Sequence, residues 1–441
     1  MFKCLRKIWK DKRGNALIIA GAALPMIVGA AGLANDTIQW TLWKRQLQRA
    51  ADSAAIAGVY QRQQGADDDA TTESVTHDLT RNLHTFYGLK SGFPQVDFPG
   101  DSGVEEDQVH VTLAIQQRLP FSSMFMSIAP TIMVNATAAS IPAGGDACIE
   151  ALETAATTGV TFIGNAAIEM PDCDIFSNSA GTNSAIAKGS ADVTANSVGG
   201  VGGIQQSNNF HVSSYRPYSP ELDDPFSDVD PDPAAMNCAT KTVVQGGKNV
   251  TTPIAATETT DFAAAKAAGI NCFTALSVGS NKSLSIPDNF GPIYINGGNA
   301  TFQGNFSCIG CTIVLTNKTA SSPIGNITIN AGATNNITAP TDGDFQGIAI
   351  YQDRRAAACT GNCNKINGNS GSVITGAVYF PSQEVQYNGT GNTSAVCTMF
   401  VAKRITFSGN SATSNKFKSL ADCSAEGLPS NSTTRMVRLV A

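Results

Sequence analysis

Hydrophobic and polar positions fall into distinct regimes along this chain. From Ala16 to Ala34 no charged residue occurs, with Leu24 and Pro25 near the middle of the run. About twenty apolar residues suffice for a helix to cross a bilayer core. Residues 14–36 are therefore expected to form a transmembrane helix, in which Pro25 and the glycines at 21, 29 and 32 are better tolerated than in a soluble helix. Over residues 37–63 the pattern becomes amphipathic. Ile38, Leu42, Arg45, Arg49, Asp52 and Ile56 recur at spacings of three and four, while Leu47, Ala50, Ala51, Ala54, Ala55 and Ala57 form a small-residue face. This second helix is expected to be either a plain stalk or an element whose Ala-rich face packs against a partner helix. Trp40 and Trp43 stand where aromatic side chains anchor at lipid headgroups.

Residues 64–143 have ordinary globular character, with a helix expected through Thr71 to Tyr87 and strands at Val109–Ile115 and near Thr131 to Ala138. A small α+β module follows from that pattern. His77 and His84 fall on one helical face without a third ligand, so a metal site is not inferred there.

After Gly144 the pattern changes to short β-prone runs with Asn and Gly at their corners, and 28 of the chain's 32 asparagines lie beyond that point. Such runs suit a parallel β-solenoid, in which stacked strands share an apolar face and Asn side chains form ladders. A β-sandwich would show similar strand lengths, but helical signal is nearly absent beyond Asp261 to Ala268. The expected fold class is mainly β with α: a transmembrane and an amphipathic helix, the small α+β module, and a solenoid-like (β-helix) domain over 144–441 with an insertion at about 205–270. Within that insertion Ser219 to Ala235 interleaves acids with four prolines and is expected as an extended solvated loop. Its Asp-rich run from 228 lacks the Gly and distal Glu of a calcium loop.

Charge orients the chain. Lys3, Arg6, Lys7, Lys10, Lys12 and Arg13 precede the apolar run, so the positive-inside rule leaves residues 1–13 in the cytoplasm and the bulk outside. A cleaved signal peptide is the rival, but the apolar stretch is long and no small-x-small cleavage site follows it. Removing the six basic and one acidic residue of the first fourteen from the chain's 29 and 35 leaves 23 and 34, a net charge of −11. An exterior so acidic argues against nucleic-acid binding, which rests on phosphate neutralisation. Of eleven cysteines only Cys4 precedes the membrane segment. The other ten, Cys148, Cys173, Cys238, Cys272, Cys308, Cys311, Cys359, Cys363, Cys397 and Cys423, are an even set in the exported part, as disulfides in an oxidising compartment would be. Pairing of sequence neighbours is the simplest scheme. A zinc site from the 308/311 and 359/363 pairs is the competing reading.

The package of Arg13-Gly14-Asn15-Ala16, the apolar run with Pro25, and Leu47-Gln48-Arg49-Ala50-Ala51-Asp52-Ser53-Ala54-Ala55 resembles the N-terminal segment of TadG-like proteins of the bacterial tight-adherence (Flp) pilus-assembly system. The resemblance covers about the first sixty residues. It implies a single-pass bacterial inner-membrane protein with its bulk in the periplasm, working with other pilus-assembly or secretion proteins, without enzymatic activity or cofactor. A type IV prepilin also begins basic-Gly-apolar, but Ile19 stands where its Glu is expected.

A polysaccharide-degrading β-helix enzyme is the catalytic alternative. Thr341-Asp342-Gly343-Asp344 and Lys403-Arg404-Ile405 faintly resemble polygalacturonase motifs, yet the convergent carboxylates that glycoside hydrolysis needs are missing. An adhesin or glycan-binding protein is the non-catalytic alternative, with Tyr351, Tyr379, Phe380 and Tyr387 as candidate aromatics. The expectation is a pilus-assembly or anchoring component, its β domain offering a rigid face to the pilus or to cell-envelope polysaccharide.

Overall fold

In the computed structural model, helix α1 (Lys12–Gln63) runs without interruption through both segments that the hydrophobic pattern separated. The structure describes residues 12–83, 88–102, 105–245, 248–369, 371–389, 396–410, 415–429 and 433–440. At 1.5 Å per residue, α1 extends about 78 Å over its 52 residues. The Thr37 and Thr41 hydroxyls donate back to the carbonyls of Leu33 and Thr37 at 2.8 and 2.7 Å, so both are satisfied within the helix. Helix α2 (Asp68–Asn82) follows a short turn. Asp67 caps it by accepting the Ala70 N–H at 2.9 Å, and Asp68 and Asp69 set negative charge against the positive end of its dipole.

The described residues divide into two compact units, Met1–Ile141 with Val437–Ala441, and Pro142–Met436. The chain's last residues group with the first unit. In the first unit, β1 (Gln95–Asp97), β2 (Glu106–Gln116) and the start of β3 (Thr131–Ala151) form an antiparallel meander. Alternation along β2 puts Val109, Val111, Leu113 and Ile115 into one core with Leu47, Ala51, Ala54 and Ala55 of α1 and Val75 and Leu79 of α2. Val437 packs on the same core, and the Val440 N–H donates to the Thr137 carbonyl at 2.9 Å.

The second unit continues from the end of β3 through β4 (Val160–Asn165), β5 (Ala167–Ser177), β6 (Ala185–Ala187), β7 (Asp192–Gly200) and β8 (Phe210–Pro217). After an antiparallel hairpin, β9 (Thr240–Gln245) and β10 (Lys248–Pro253), come β11 (Ala256–Thr257), helix α3 (Phe262–Ala267), β12 (Cys272–Phe273), β13 (Leu276–Val278) and β14 (Ser283–Ser285). Next are β15 (Gly291–Asn296), β16 (Ala300–Phe302), β17 (Asn305–Ile309), β18 (Cys311–Thr316), β19 (Ile327–Ile329), β20 (Asn335–Thr338) and β21 (Ile348–Gln352). The unit ends with β22 (Cys359–Gly368), β23 (Val373–Gly389), β24 (Thr398–Asn410) and β25 (Asn415–Lys416).

Among the described residues of this unit, pairing is parallel except in the β9–β10 hairpin. From β12 to β20 each strand bonds to the third strand after it. Strand β23 pairs with β24, and β24 pairs in turn with β3 and β4, so the unit's first strands lie beside its last long one. From there β5, β7 and β8 extend the sheet outward. Parallel ladders of this kind rule out the antiparallel sandwich. They also explain the Asn-rich pattern: the buried Gln383 Oε1 accepts from Gln352 Nε2 at 3.1 Å and from Asn364 Nδ2 at 2.9 Å, and Asn388 Nδ2 donates to Asn367 at 2.8 Å on neighbouring strands. At one corner Gly164 and Gly189 adopt φ of +70° and +72°, and a Cβ on Gly189 would meet the Gly164 carbonyl at 3.3 Å. Only glycine suits both the sign of φ and the spacing.

The segment from Pro217 to Thr240 is not a solvated loop. It is a strap laid across the ladders, with Leu222, Phe226 and Met236 buried. Asn178 pairs with Leu222 through both side-chain atoms, Tyr379 bonds Asp224, Tyr351 bonds the Val229 carbonyl, and Lys318 reaches the Met236 carbonyl. The strap thus touches in turn the neighbourhoods of β5, β23, β21 and β18. That path carries the chain from the β8 end of the sheet to β11 at the other end.

Candidate membrane-anchor site

The helix α1 is where sequence and geometry converge on a function. One helix among the described residues is long and apolar enough to cross a membrane, and its span lies at Ile19–Gln63. The side chains of its first half face outward on every side: Ile19, Leu24, Met26, Ile27, Val28 and Leu33 are each more than half exposed. An apolar surface all round a helix is what a lipid environment demands and what water penalises. No described residue lies within contact distance of a Cβ placed on Gly21 or Gly29.

Gly32 differs. A Cβ there would overlap the Phe121 ring, so the chain of residues 119–128 lies directly on the helix at that level. One turn further on, the buried Asp36 carboxylate accepts the Phe121 N–H at 3.1 Å, the Ser122 N–H, and the Ser122 hydroxyl at 2.5 Å. In the sequence Asp36 reads only as a charge flanking the apolar run. The one sequence signal of its role as the clamp for a distant loop is the uncharged stretch from Leu119 to Gly145.

Beyond Asp36 the helix changes partners. Trp40 and Trp43 pack at the edge of the first unit's core, and Lys44 lies over the Trp40 ring at 5.5 Å. The Gln48 side-chain amide donates to Asp52 at 2.8 Å and to the Asn135 carbonyl at 2.8 Å. Ala51, Ala54 and Ala55 are fully buried against α2 and the β2–β3 hairpin. The small-residue face expected to meet a partner helix is therefore covered by the chain itself, and α1 is neither a bare stalk nor a free docking surface there. A short side chain is required at Gly58 as well, where a Cβ would stand 2.8 Å from Val109 and 3.0 Å from Val75.

Residues 14–64 match the family described as Flp pilus-assembly TadE/G-like. The Tad segment thus coincides with α1 almost end to end, and within it the family motif residues Ala51, Ala54 and Ala55 seat the helix on its own domain, whereas Asp52 accepts from Gln48 inside the helix. Leu24, Pro25 and Ala34 sit on the exposed apolar half. Lys3, Arg6, Lys7, Lys10, Cys4 and His84 lie outside the described residues, as do the side chains of Arg13, Gly14, Asn15 and Ala16. No curated protein and no solved structure matches the chain.

The remaining candidates sort themselves by geometry. Disulfides join Cys148–Cys173, Cys238–Cys272, Cys308–Cys311, Cys359–Cys363 and Cys397–Cys423, the simplest neighbour scheme, and the zinc reading fails because its four thiols are paired. The acids of the strap do not converge: Asp224 bonds Tyr379, Asp230 pairs with Arg354 at 2.9 Å and Asp232 caps the Pro233–Ala235 turn. Thr341, Asp342, Gly343 and Asp344 line an open cleft of about 610 Å³, but Lys403 and Arg404 are not among its walls, and Arg404 faces Glu153 at 3.8 Å. Of the candidate glycan-stacking aromatics, Tyr351, Tyr379 and Phe380 are fully buried, and Tyr387 packs on Phe400 and Phe407. Tyr351, Tyr379 and Phe380 belong to the core of the β unit, and Tyr387 packs against that core.

Proposed function

We propose that the chain is a non-enzymatic, single-pass inner-membrane component of a Flp/Tad pilus-assembly or anchoring apparatus, with its N-terminus cytoplasmic and its bulk periplasmic. The observation that carries this reading is the coincidence of the Tad segment with one unbroken helix, apolar outward in its first half and packed onto a folded domain in its second. The basic residues before the apolar run give the orientation, and five disulfides after it suit an oxidising compartment. We further infer that the parallel sheet winds as a β-solenoid, on the strength of each strand bonding to the third strand along. Such a stack supplies a rigid scaffold without chemistry.

The test is protease treatment of spheroplasts combined with deletion of the gene. Cleavage of the bulk, recovery of the chain in the membrane fraction and loss or mislocalisation of pili are expected. Release of a shortened soluble species with pili intact would instead establish a cleaved signal peptide and a secreted protein.

A further inference from the structure

The β2–β3 hairpin runs along α1 toward its apolar half. Val109 lies at the level of Gly58, Asn135, which is opposite Thr112, at the level of Gln48, and Phe121 and Ser122 at the level of Gly32 and Asp36. That descent covers about 39 Å of helix at 1.5 Å per residue. The connection between the strands, residues 117–130, is thereby delivered to the end of the Ala16–Ala34 run.

This connection is built. Gln116 Nε2 donates to the Ala129 carbonyl at 3.0 Å across its base, the Met126 N–H donates to the Ser122 carbonyl at 2.9 Å, and Asp36 holds its first turn to the helix. Yet it exposes Met124, Phe125 and Ile128 by 75, 76 and 73 %, with Met126 and Met133 more than half exposed beside them. Arg118 and Asp146 are the nearest charges in sequence on either side. An exposed apolar patch of this kind on a fixed scaffold marks an interaction surface. Its position selects the occupant, because it is continuous with the lipid-facing surface of the helix on which it is clamped.

We infer that the Leu119–Ile128 loop is a second membrane contact, seating Met124, Phe125, Met126 and Ile128 in the acyl and headgroup boundary beside α1. The helix alone leaves the folded unit free to rotate and tilt on its anchor; a second apolar contact fixes the unit's orientation on the membrane surface. Burying side chains of this size in the interface is favourable in proportion to their apolar area. The inference rests on the membrane-anchor reading above.

The experiment places the photocrosslinking residue benzoylphenylalanine at position 125 of the full-length chain, and separately at position 27, in phosphatidylcholine/phosphatidylglycerol vesicles. Phospholipid adducts by mass spectrometry at both positions are the expected result. Adducts at 27 with none at 125, or protein–protein products at 125 in place of lipid, would overturn the loop contact while leaving the anchor intact. No lipid adduct at either position would remove the anchor reading and the loop contact together.

Discussion

The Tyr379 hydroxyl donates to Asp224 at 2.6 Å across 155 positions of sequence, tying the strap to the strand it crosses. Beside it Phe226 meets the Tyr379 ring edge-on at 5.4 Å, and Tyr379 stacks on Tyr351 at 5.2 Å. The strap is therefore held by packing first and by hydrogen bonds second. Tyr379→Phe is expected to cost about 1–2 kcal/mol, since Asp224 keeps access to water. Phe226→Ala is expected to cost about 3–5 kcal/mol, the range for emptying a buried aromatic site. Urea midpoints for the two variants check the order, and equal losses would mean that the strap adds little packing.

The same tyrosines make the β unit sensitive to alkali. Burial, and then the Asp224 carboxylate, push the Tyr379 hydroxyl far above the ordinary value of 10.0; burial does the same to Tyr351 against the lowering influence of Arg354, and burial pushes Tyr387 up to about 12. Each folded value lies above the unfolded one. Their contribution is thus complete below pH 10 and is lost as pH rises from there through the folded values. Tyrosinate absorbance should appear in two phases, the second coinciding with unfolding, and Tyr351→Phe should flatten the alkaline fall in stability.

Acid acts through Asp353, which is 1 % exposed. Burial disfavours its charge, but the Arg355 guanidinium at 2.6 Å, the Thr316 hydroxyl at 2.6 Å and the Arg355 N–H at 2.9 Å outweigh that and hold its pKa below 3.8. A depressed folded value contributes stability above the unfolded pKa and loses it as pH falls through the folded one. Asp353→Asn should lower stability at neutral pH and remove part of the slope below pH 3.8. A wild-type slope in the variant would exclude this carboxylate as its source.

The long helix was legible from residues 16–63 because a bilayer span and a 3.6-residue period both leave local marks. The parallel character of the β unit was legible from its corner Asn and Gly residues for the same reason. What covers the Ala face was not, since Val75, Val109 and Ala54 meet only through tertiary packing. Nor was the strap: Leu222, Phe226 and Met236 follow no period, and their partners stand up to 155 positions away. The pairing of β24 with β3 and β4 joins residues about 250 positions apart, which no local pattern encodes. Asp36 shows the limit most clearly, because a carboxylate after an apolar run carries the same sequence signature whether it faces water or clamps a loop.

Gly58 offers a test confined to the first unit. Gly58→Val places branched carbon where Val109 and Val75 already stand within about 3 Å of a single Cβ. Overpacking of this sort costs about 1–3 kcal/mol. Faster hydrogen exchange is expected in β2, with the strands of Pro142–Met436 unchanged. Unaltered exchange in β2 would show that the helix can shift on its hairpin.

The disulfides should differ in value according to the length of chain they close. Cys238–Cys272 joins positions 34 apart, and it pins the strap's far end to β12. Loop-closure entropy assigns such a link roughly 4 kcal/mol, against roughly 2 kcal/mol for Cys308–Cys311, whose separation is 3. Replacing each pair by serine should therefore lower the denaturant midpoint more for the first than for the second. Protease should also cut the strap sooner in the Cys238→Ser/Cys272→Ser variant, because its covalent end is then free while Asn178 still holds the other. Equal midpoints with an uncut strap would show that buried Phe226 and Met236 alone fix the crossing.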